Sequence, residues 1–420
     1  MRARRRVRLA AAVGAVVLSA AGCGVFSGHR HTTNDDPREL SLPQRIEQVV
    51  WDWEAPEGVR LVATVAVPVG VVVVLDDGFV ALAGDTGEEV WQYRVGEDAR
   101  AAYASRRGDY LAMEVEDPED GALLVELAPS TGEVVKQVAI EETDDERGIN
   151  GAFGRNVSDG VLILRDPFDA PALEGRSLET DEALWVREDP PECTAVDGPN
   201  TDTVASVVLG EVVLEGFSCT GGDDEDGAGL LGRDLFTGEE LWRFEEVLGP
   251  SVPGLGVLHR RYDPLTDRHL AMRTLNGLTR VFDVVDGELL GEWEEQVIGV
   301  LEDGSVALHS AEHNQYRRED SSGELLAALS VPRGVNRSVY PVLVDDGVVS
   351  HGYSTLEPGV RVWFQSWEWE NDGEPVVIDV ADERLSDPEA AVSATAIPGA
   401  VLLHYSEDGP EAKEVLFGLA

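Results

Sequence analysis

The run Val71-Val72-Val73-Val74-Leu75-Asp76-Asp77-Gly78-Phe79-Val80-Ala81-Leu82-Ala83-Gly84-Asp85-Thr86-Gly87-Glu88-Glu89-Val90-Trp91 decides the fold. Residues 71–75 and 79–83 are apolar stretches too short for an ordinary helix, and the first is almost wholly β-branched, which favours extended backbone. Asp76-Asp77-Gly78 breaks them apart. Asp85-Thr86-Gly87 breaks the second from a third stretch, Glu88 to Arg94, that carries Trp91. Glycine enters the positive-φ region that a tight hairpin needs at no steric cost. The segment therefore reads as three short antiparallel strands joined by two turns.

The second turn recurs. It reads Thr86-Gly87-Glu88, Thr131-Gly132-Glu133, Thr180-Asp181-Glu182, Thr237-Gly238-Glu239, Asp286-Gly287-Glu288, Ser322-Gly323-Glu324 and Asp372-Gly373-Glu374. Three residues past each central position stands an aliphatic: Val90, Val135, Leu184, Leu241, Leu290, Leu326 and Val376. The steps between centres are 45, 49, 57, 49, 36 and 50 residues, the period of a four-stranded β-propeller blade. Thr, Ser or Asp ahead of the centre can bond nearby backbone and start the turn. Asp181 replaces Gly once, and Asp is among the few residues that tolerate left-handed backbone. The Glu that follows starts the next strand and is expected to face water. Apolar blocks precede the other turns at Leu123 to Leu127, Leu230 to Leu235 and Leu278 to Val284. Trp185 and Trp242 stand where Trp91 stands, four past the centre, and packing between blades is the role expected of all three.

The match of Asp77-Gly78-Phe79-Val80-Ala81-Leu82 through Thr86-Gly87-Glu88-Glu89-Val90-Trp91, and of Leu235-Phe236-Thr237-Gly238-Glu239-Glu240-Leu241-Trp242, resembles the repeat of the pyrroloquinoline-quinone-like (PQQ-like) β-propellers. The resemblance spans residues 45 to 420. It implies an all-β propeller and is weak for activity, because such folds carry both enzymes and scaffolds.

The chain ends support closure of a ring. The last repeat offers Ala400 to Tyr405, a turn at Glu407-Asp408-Gly409 and Glu414 to Leu419, then stops without the strand that follows the turn elsewhere. Ile46 to Trp53 has the look of that missing strand. Pairing the two extremities would remove exposed sheet edges. Seven turns and this seam favour eight blades; seven stays open because the third and sixth repeats are poorly marked.

Residues 1–22 read as a lipoprotein signal peptide. Arg2, Arg4, Arg5, Arg6 and Arg8 form a basic start, Leu9 to Ala21 is apolar but too short to span a bilayer, and Ala20-Ala21-Gly22 precede Cys23. Cys23 is the expected lipid attachment, by diacylation and palmitate, and makes the protein a lipid-anchored one on the extracytoplasmic face of the cell membrane. The paired arginines are a faint sign of the twin-arginine route. Residues 23–44 lack an apolar pattern and read as a flexible tether with a reach of about 25 Å; residues 45–420 are the propeller.

With Cys23 lipidated, Cys193 and Cys219 remain, both in the longest interval between turns. An oxidising compartment permits their disulfide, worth roughly 3–4 kcal/mol in the chain-entropy picture. Acidic residues number 80 against 33 basic, and Lys136 and Lys413 are the only lysines. Removing residues 1–22 takes away five arginines and no acid, which carries the formal net charge from −47 to about −52. Such a surface repels nucleic acid, so no nucleic-acid partner is expected. Arginine in place of lysine points to a high-GC bacterium of the actinobacterial or salt-adapted kind.

No cofactor is expected, PQQ and Ca²⁺ included. Relatives that oxidise alcohols or sugars hold the quinone beside Ca²⁺ on the ring axis, and one branch places two adjacent cysteines against it. This chain has no adjacent cysteines, and no calcium set maps onto it. His309-Ser310-Ala311-Glu312-His313 spells the H-x-x-E-H of some zinc peptidases, but that chemistry needs a helix to bring both imidazoles to one metal, and the context here is strand and loop. Asp223-Asp224-Glu225-Asp226-Gly227 and Asp144-Asp145-Glu146 read as solvated loops, without the alternating order of a calcium loop. No phosphate-binding glycine loop or Gly-x-Ser-x-Gly elbow occurs. No catalytic, cofactor or metal residue is assigned, and a monomer is expected. The favoured function is a non-catalytic, membrane-anchored scaffold for an envelope protein or cell-wall ligand, similar to the scaffold lipoproteins of the PQQ-like group. The alternatives are a PQQ-dependent dehydrogenase and a solute or polysaccharide sensor.

Overall fold

The computed structural model describes residues 29–420 apart from 106–107, 118–120, 141–156, 166–172, 190–191, 193–199, 221–225, 249–267, 274–277, 302, 336–340, 354–358, 369–373, 383, 386–389 and 408–413. Eight antiparallel sheets follow one another around a ring. Blade one comprises Leu61–Val67, Gly70–Leu75, Gly78–Ala83 and Glu89–Arg94. Blade two runs from Ala99 to Ile140, blade three from Val157 to Arg187, blade four from Asn200 to Leu248, and blade five from His269 to Trp293, with three strands among its described residues. Blade six runs from Gln296 to Ser330 and blade seven from Val342 to Val380. Blade eight joins Ala391–Ile397, Ala400–Ser406 and Glu414–Leu419 to the early strand Val49–Glu54. The expected closure is therefore present, from Val49 opposite Leu419 to Glu54 opposite Val415 with a bulge between Val49 and Trp51, and the count is eight.

The all-apolar run 71–75 has a direct cause. It is the second strand of its blade, and successive side chains leave opposite faces of a strand. Val72 and Val74 pack with Ala102, Leu111 and Met113 of blade two, while Val71, Val73 and Leu75 pack with Ile397, Leu402 and Leu416 of blade eight. A strand buried on both faces reads as continuous hydrophobicity. The same arrangement repeats around the ring: eight apolar clusters each span one pair of neighbouring blades. The core is thus a cycle of interfaces.

The recurring turn joins the third and fourth strands of its blade. Central residues take positive φ, from 69° to 82° at Gly87, Gly132, Gly238, Gly287 and Gly323 and 53° at Asp181. The Thr86, Thr131, Thr180 and Thr237 hydroxyls accept from the amide two residues on, and the Asp286 carboxylate does so for Glu288. Glu88, Glu133, Glu182, Glu239, Glu288 and Glu324 are exposed, as expected. The aliphatic that recurs three past the centre lies on the outward side: Val135 is 60 % exposed, and Leu184, Leu241 and Leu326 are also exposed. Where the residue after it is Trp91, Trp185 or Trp242, that side chain turns inward against the next blade.

Candidate functional site

That next residue fastens the ring. Trp51, Trp91, Trp185 and Trp242 lie against the turn glycines of the following blades, Gly87, Gly132, Gly238 and Gly287, where a Cβ would come within 2.4–2.6 Å of each ring. Each indole N–H donates to a carbonyl of that next blade: Gly84 at 2.7 Å, Pro129 at 3.0 Å, Leu235 at 2.8 Å and Val284 at 2.9 Å. In its own blade each Trp pairs with a small residue of the third strand, Gly418, Ala81, Gly175 and Gly232. The stitch therefore needs three matched residues: a small one, an indole, and a glycine one blade on. The expectation that the repeated tryptophans pack between blades is met, and Trp51 at the closure joins them.

The exceptions are correlated. Blade two has Lys136 in place of the indole, opposite Glu126, and blade three has Asp181 in place of the glycine. There Lys136 Nζ pairs with Glu179 Oε2 across the same gap. Blade five has Gly291 at the Trp position, and Gly323 of blade six faces open space. Two charge clusters act beside the stitches. Glu215, 0 % exposed in blade four, accepts from Arg187 of blade three and from Arg233 at 3.2 Å. Arg384, on the connection from blade seven, donates to Asp382 at 2.6 Å and to Asp52 at 2.8 Å, reaches Glu54 at 3.4 Å, and lies over the Phe417 ring. Those carboxylates hold its guanidinium above its ordinary pKa. It clamps the seam between the chain's first and last strands. Sequence reading missed both clusters.

The two faces of the ring differ. One carries the recurring turns and the short turns between first and second strands, such as Pro68-Val69, Asp159-Gly160 and Pro398-Gly399. The other carries the connections between blades and those between second and third strands. Three of them are long: from Ile140 to Val157, from Arg187 to Asn200 and from Leu248 to His269. The first two are rich in acid, with Glu141-Glu142, Asp144-Asp145-Glu146, Glu188-Asp189 and Glu192. Blade four has strands of 9 and 10 residues where most others have 5 to 7. This is the candidate binding face.

The segment expected to tether is laid against the ring from residue 29 on. Arg30–Thr32 adds a fifth strand to the outer edge of blade one, with Arg30 opposite Arg94 and Thr32 opposite Gln92. His31 Nε2 donates to Gly132 O at 2.8 Å, and its ring meets Tyr93 edge-on at 5.3 Å. Burial pushes the Tyr93 phenol up to about 12. The Asn34 amide donates to Thr131 O at 2.9 Å, Arg38 pairs with Asp85, the Leu40 amide donates to Pro68 O at 2.8 Å, and Ser41 O accepts from Gly399 at 2.8 Å.

Among the sequence-predicted site residues, Cys23 and Cys193 lie outside the described residues. Cys219 lies in Val212–Thr220, its backbone opposite Thr201 and Gly227. Asp223 to Glu225 and Asp144 to Glu146 also lie outside them. The H-x-x-E-H motif falls on a strand and a turn, as expected. His309 sits in Val306–Ser310 against Tyr316, while His313 follows on a turn with Nδ1 3.2 Å from Ser310 Oγ. Ser310 leaves the opposite face of the strand from His309, so the imidazoles diverge. No group of three or more His, Cys, Asp or Glu side chains among the described residues could hold a metal. Ser406, His404 and Glu414 do meet, with Ser406 Oγ 3.1 Å from the carboxylate and His404 Nε2 bonded to it. Here the carboxylate stands between serine and imidazole, whereas nucleophile activation needs the imidazole in the middle. No helix among the described residues is long and apolar enough to cross a membrane.

No protein-family model matches the sequence, and no curated protein matches it. Similar solved structures include BamB from Moraxella catarrhalis, 14 % identical with a TM-score of 0.41, covering 88 % of this chain and 96 % of that one. The WD40 domain of Toxoplasma gondii coronin is 9 % identical with a TM-score of 0.41, covering 91 % of this chain and 89 % of that one. The β-propeller domain of Cps50 (Swd1) from Myceliophteria thermophila is 13 % identical with a TM-score of 0.36, covering 92 % and 99 %.

Proposed function

We propose that this propeller is a non-catalytic binding scaffold, held to the outer side of the cell membrane by lipid on Cys23, that offers its loop-rich face to an envelope protein or cell-wall ligand. The observation that carries this reading is the asymmetry of the faces. The turn face is built from tight, repeated hairpins with little surface to vary. The opposite face gathers the long acidic connections and the overreaching strands of blade four, and loops on a rigid scaffold are where recognition concentrates. An eight-interface ring supplies the rigidity, so a partner meets a surface ordered in advance. The acidity favours a basic partner and fast, salt-dependent association.

Crosslinking in the native host, followed by mass spectrometry of what co-purifies, tests the reading. A chain whose connection 141–156 is replaced by a short Gly-Ser turn should lose a specific partner while keeping its cooperative unfolding. An unchanged set of crosslinked proteins and glycans would count against the loop face. Turnover of an alcohol or sugar with added quinone and Ca²⁺ would overturn the non-catalytic reading.

A further inference from the structure

We infer that residues 29–48 are a strap that fixes which part of the ring sits next to the bilayer: the outer edge of blade one is membrane-proximal, and the ring stands on that edge. The inference rests on lipid attachment at Cys23. Its other premise is geometric. The strap is bound in succession to Tyr93, Gly132, Thr131, Asp85, Pro68 and Gly399, and Ile46 is fully buried where it enters blade eight. Only the steps from Cys23 to His29 precede it. Fully extended they span about 20 Å at most. A tether free as far as Val49 would have a contour of about 90 Å. A folded chain of this length is roughly 50 Å across. The leash is therefore shorter than the body it holds, and the rim of blade five, half a turn around the ring, cannot take the place of blade one.

Two further observations set the tilt. The strap leaves blade one beside Arg94 and Asp98, at the end of the strand nearer the loop face, and His29 Nε2 lies 3.2 Å from Asp98. The first arginine after the leash, Arg30, is thus held at this edge, where it favours an anionic lipid surface. The loop face carries the exposed Glu188, Asp189 and Glu192, which such a surface repels. Attraction at the edge and repulsion at the face together hold the ring upright, with both faces open to the side.

The test uses the acylated full chain in vesicles of phosphatidylglycerol and phosphatidylethanolamine that carry a lipid-bound energy acceptor. Glu88 and Glu288 are exposed residues at equivalent turns of blades one and five, and each is replaced in turn, Glu88→Cys or Glu288→Cys, to carry a donor dye. Transfer from position 88 should exceed transfer from position 288 several-fold. Inserting about 20 Gly and Ser residues between 28 and 29, which adds roughly 25 Å of mean reach, should bring the two values together. Equal transfer in the parent chain would overturn the orientation. Amide hydrogen exchange at residues 31–34 in detergent reads the strap by itself: slow exchange is expected, and exchange at the unfolded rate would overturn it. Mass spectrometry of the N-terminal peptide separates the two premises. An unacylated Cys23 defeats the anchor, and the orientation with it, whatever the exchange shows.

Discussion

Gly132→Ala is the sharpest probe of how the ring holds together. The added methyl would lie 2.6 Å from Trp91 Cδ2 and 2.7 Å from Cε3, with φ at +69°. The backbone term alone costs about 1–2 kcal/mol for a residue with a Cβ. Displacing a packed indole adds an overpacking cost of about 1–3 kcal/mol, because Trp91 is 1 % exposed and tied to Pro129 O. The single substitution should therefore destabilise by roughly 2–5 kcal/mol. Trp91→Ala alone should cost about 3–5 kcal/mol. In the double variant the methyl meets a cavity, so only the backbone term remains and the two losses fall short of additivity by about 1–3 kcal/mol. Urea unfolding followed by tryptophan fluorescence and by far-UV circular dichroism measures all four corners of the cycle. Gly323→Ala, where the added methyl meets nothing within 4 Å, combined with the same Trp91→Ala should show no coupling. Additive losses at Gly132 and Trp91, or equal coupling at both sites, would refute the stitch as a specific contact.

Arg384→Met removes the clamp and leaves Asp52, Glu54 and Asp382 facing one another; a loss of about 0.5–1 kcal/mol is expected, with earlier proteolysis near residues 49–54, and an unchanged proteolytic pattern would rule the clamp out. His351 is 3 % exposed and its pKa is lowered by burial, against a raising contribution from its bond to Val392 O. Its folded pKa thus lies below the unfolded 6.5, so the unfolded chain binds more protons between the two values, and stability present above pH 6.5 is lost as pH falls below it. Wild type should lose stability from this group as pH falls from about 7.5 to about 5.5, and His351→Leu should flatten that change when unfolding midpoints are compared. Thiol titration of the unfolded, unreduced mature protein should find no free sulfhydryl; two would exclude the Cys193–Cys219 bond.

The blade period, the turn chemistry and the closing strand were legible because each is local. A positive-φ position, a hydroxyl two residues ahead of an amide, and a doubly buried valine run leave their marks within a few residues. The Trp stitch was half legible. Trp91, Trp185 and Trp242 stood out, but Gly132, Gly238 and Gly287 read only as turn formers, and their second role as platforms for the previous blade's indole needed the ring. Asp181 stood out as a lapse in the turn, but Lys136 at the Trp position did not, and only the ring shows the two as halves of one missing stitch. Arg384 was invisible because its partners Asp52 and Glu54 lie at the other end of the chain. The strap carried no apolar pattern because main-chain bonds hold it. The loop face was legible only as spacing: the long intervals between turns marked where blades differ, and acid-rich connections give no geometry from composition.

Blade eight is assembled from the first and last strands of the ring, and this sets an order of events in folding. A chain appearing from its N-terminus can pair strands within blades one to seven as they emerge, but Val49–Glu54 must wait with its edge bare until Glu414–Leu419 arrives. Arrival of Glu414–Leu419 is thus the step that permits closure, and a product stopped short of it would remain an open arc with two adhesive ends.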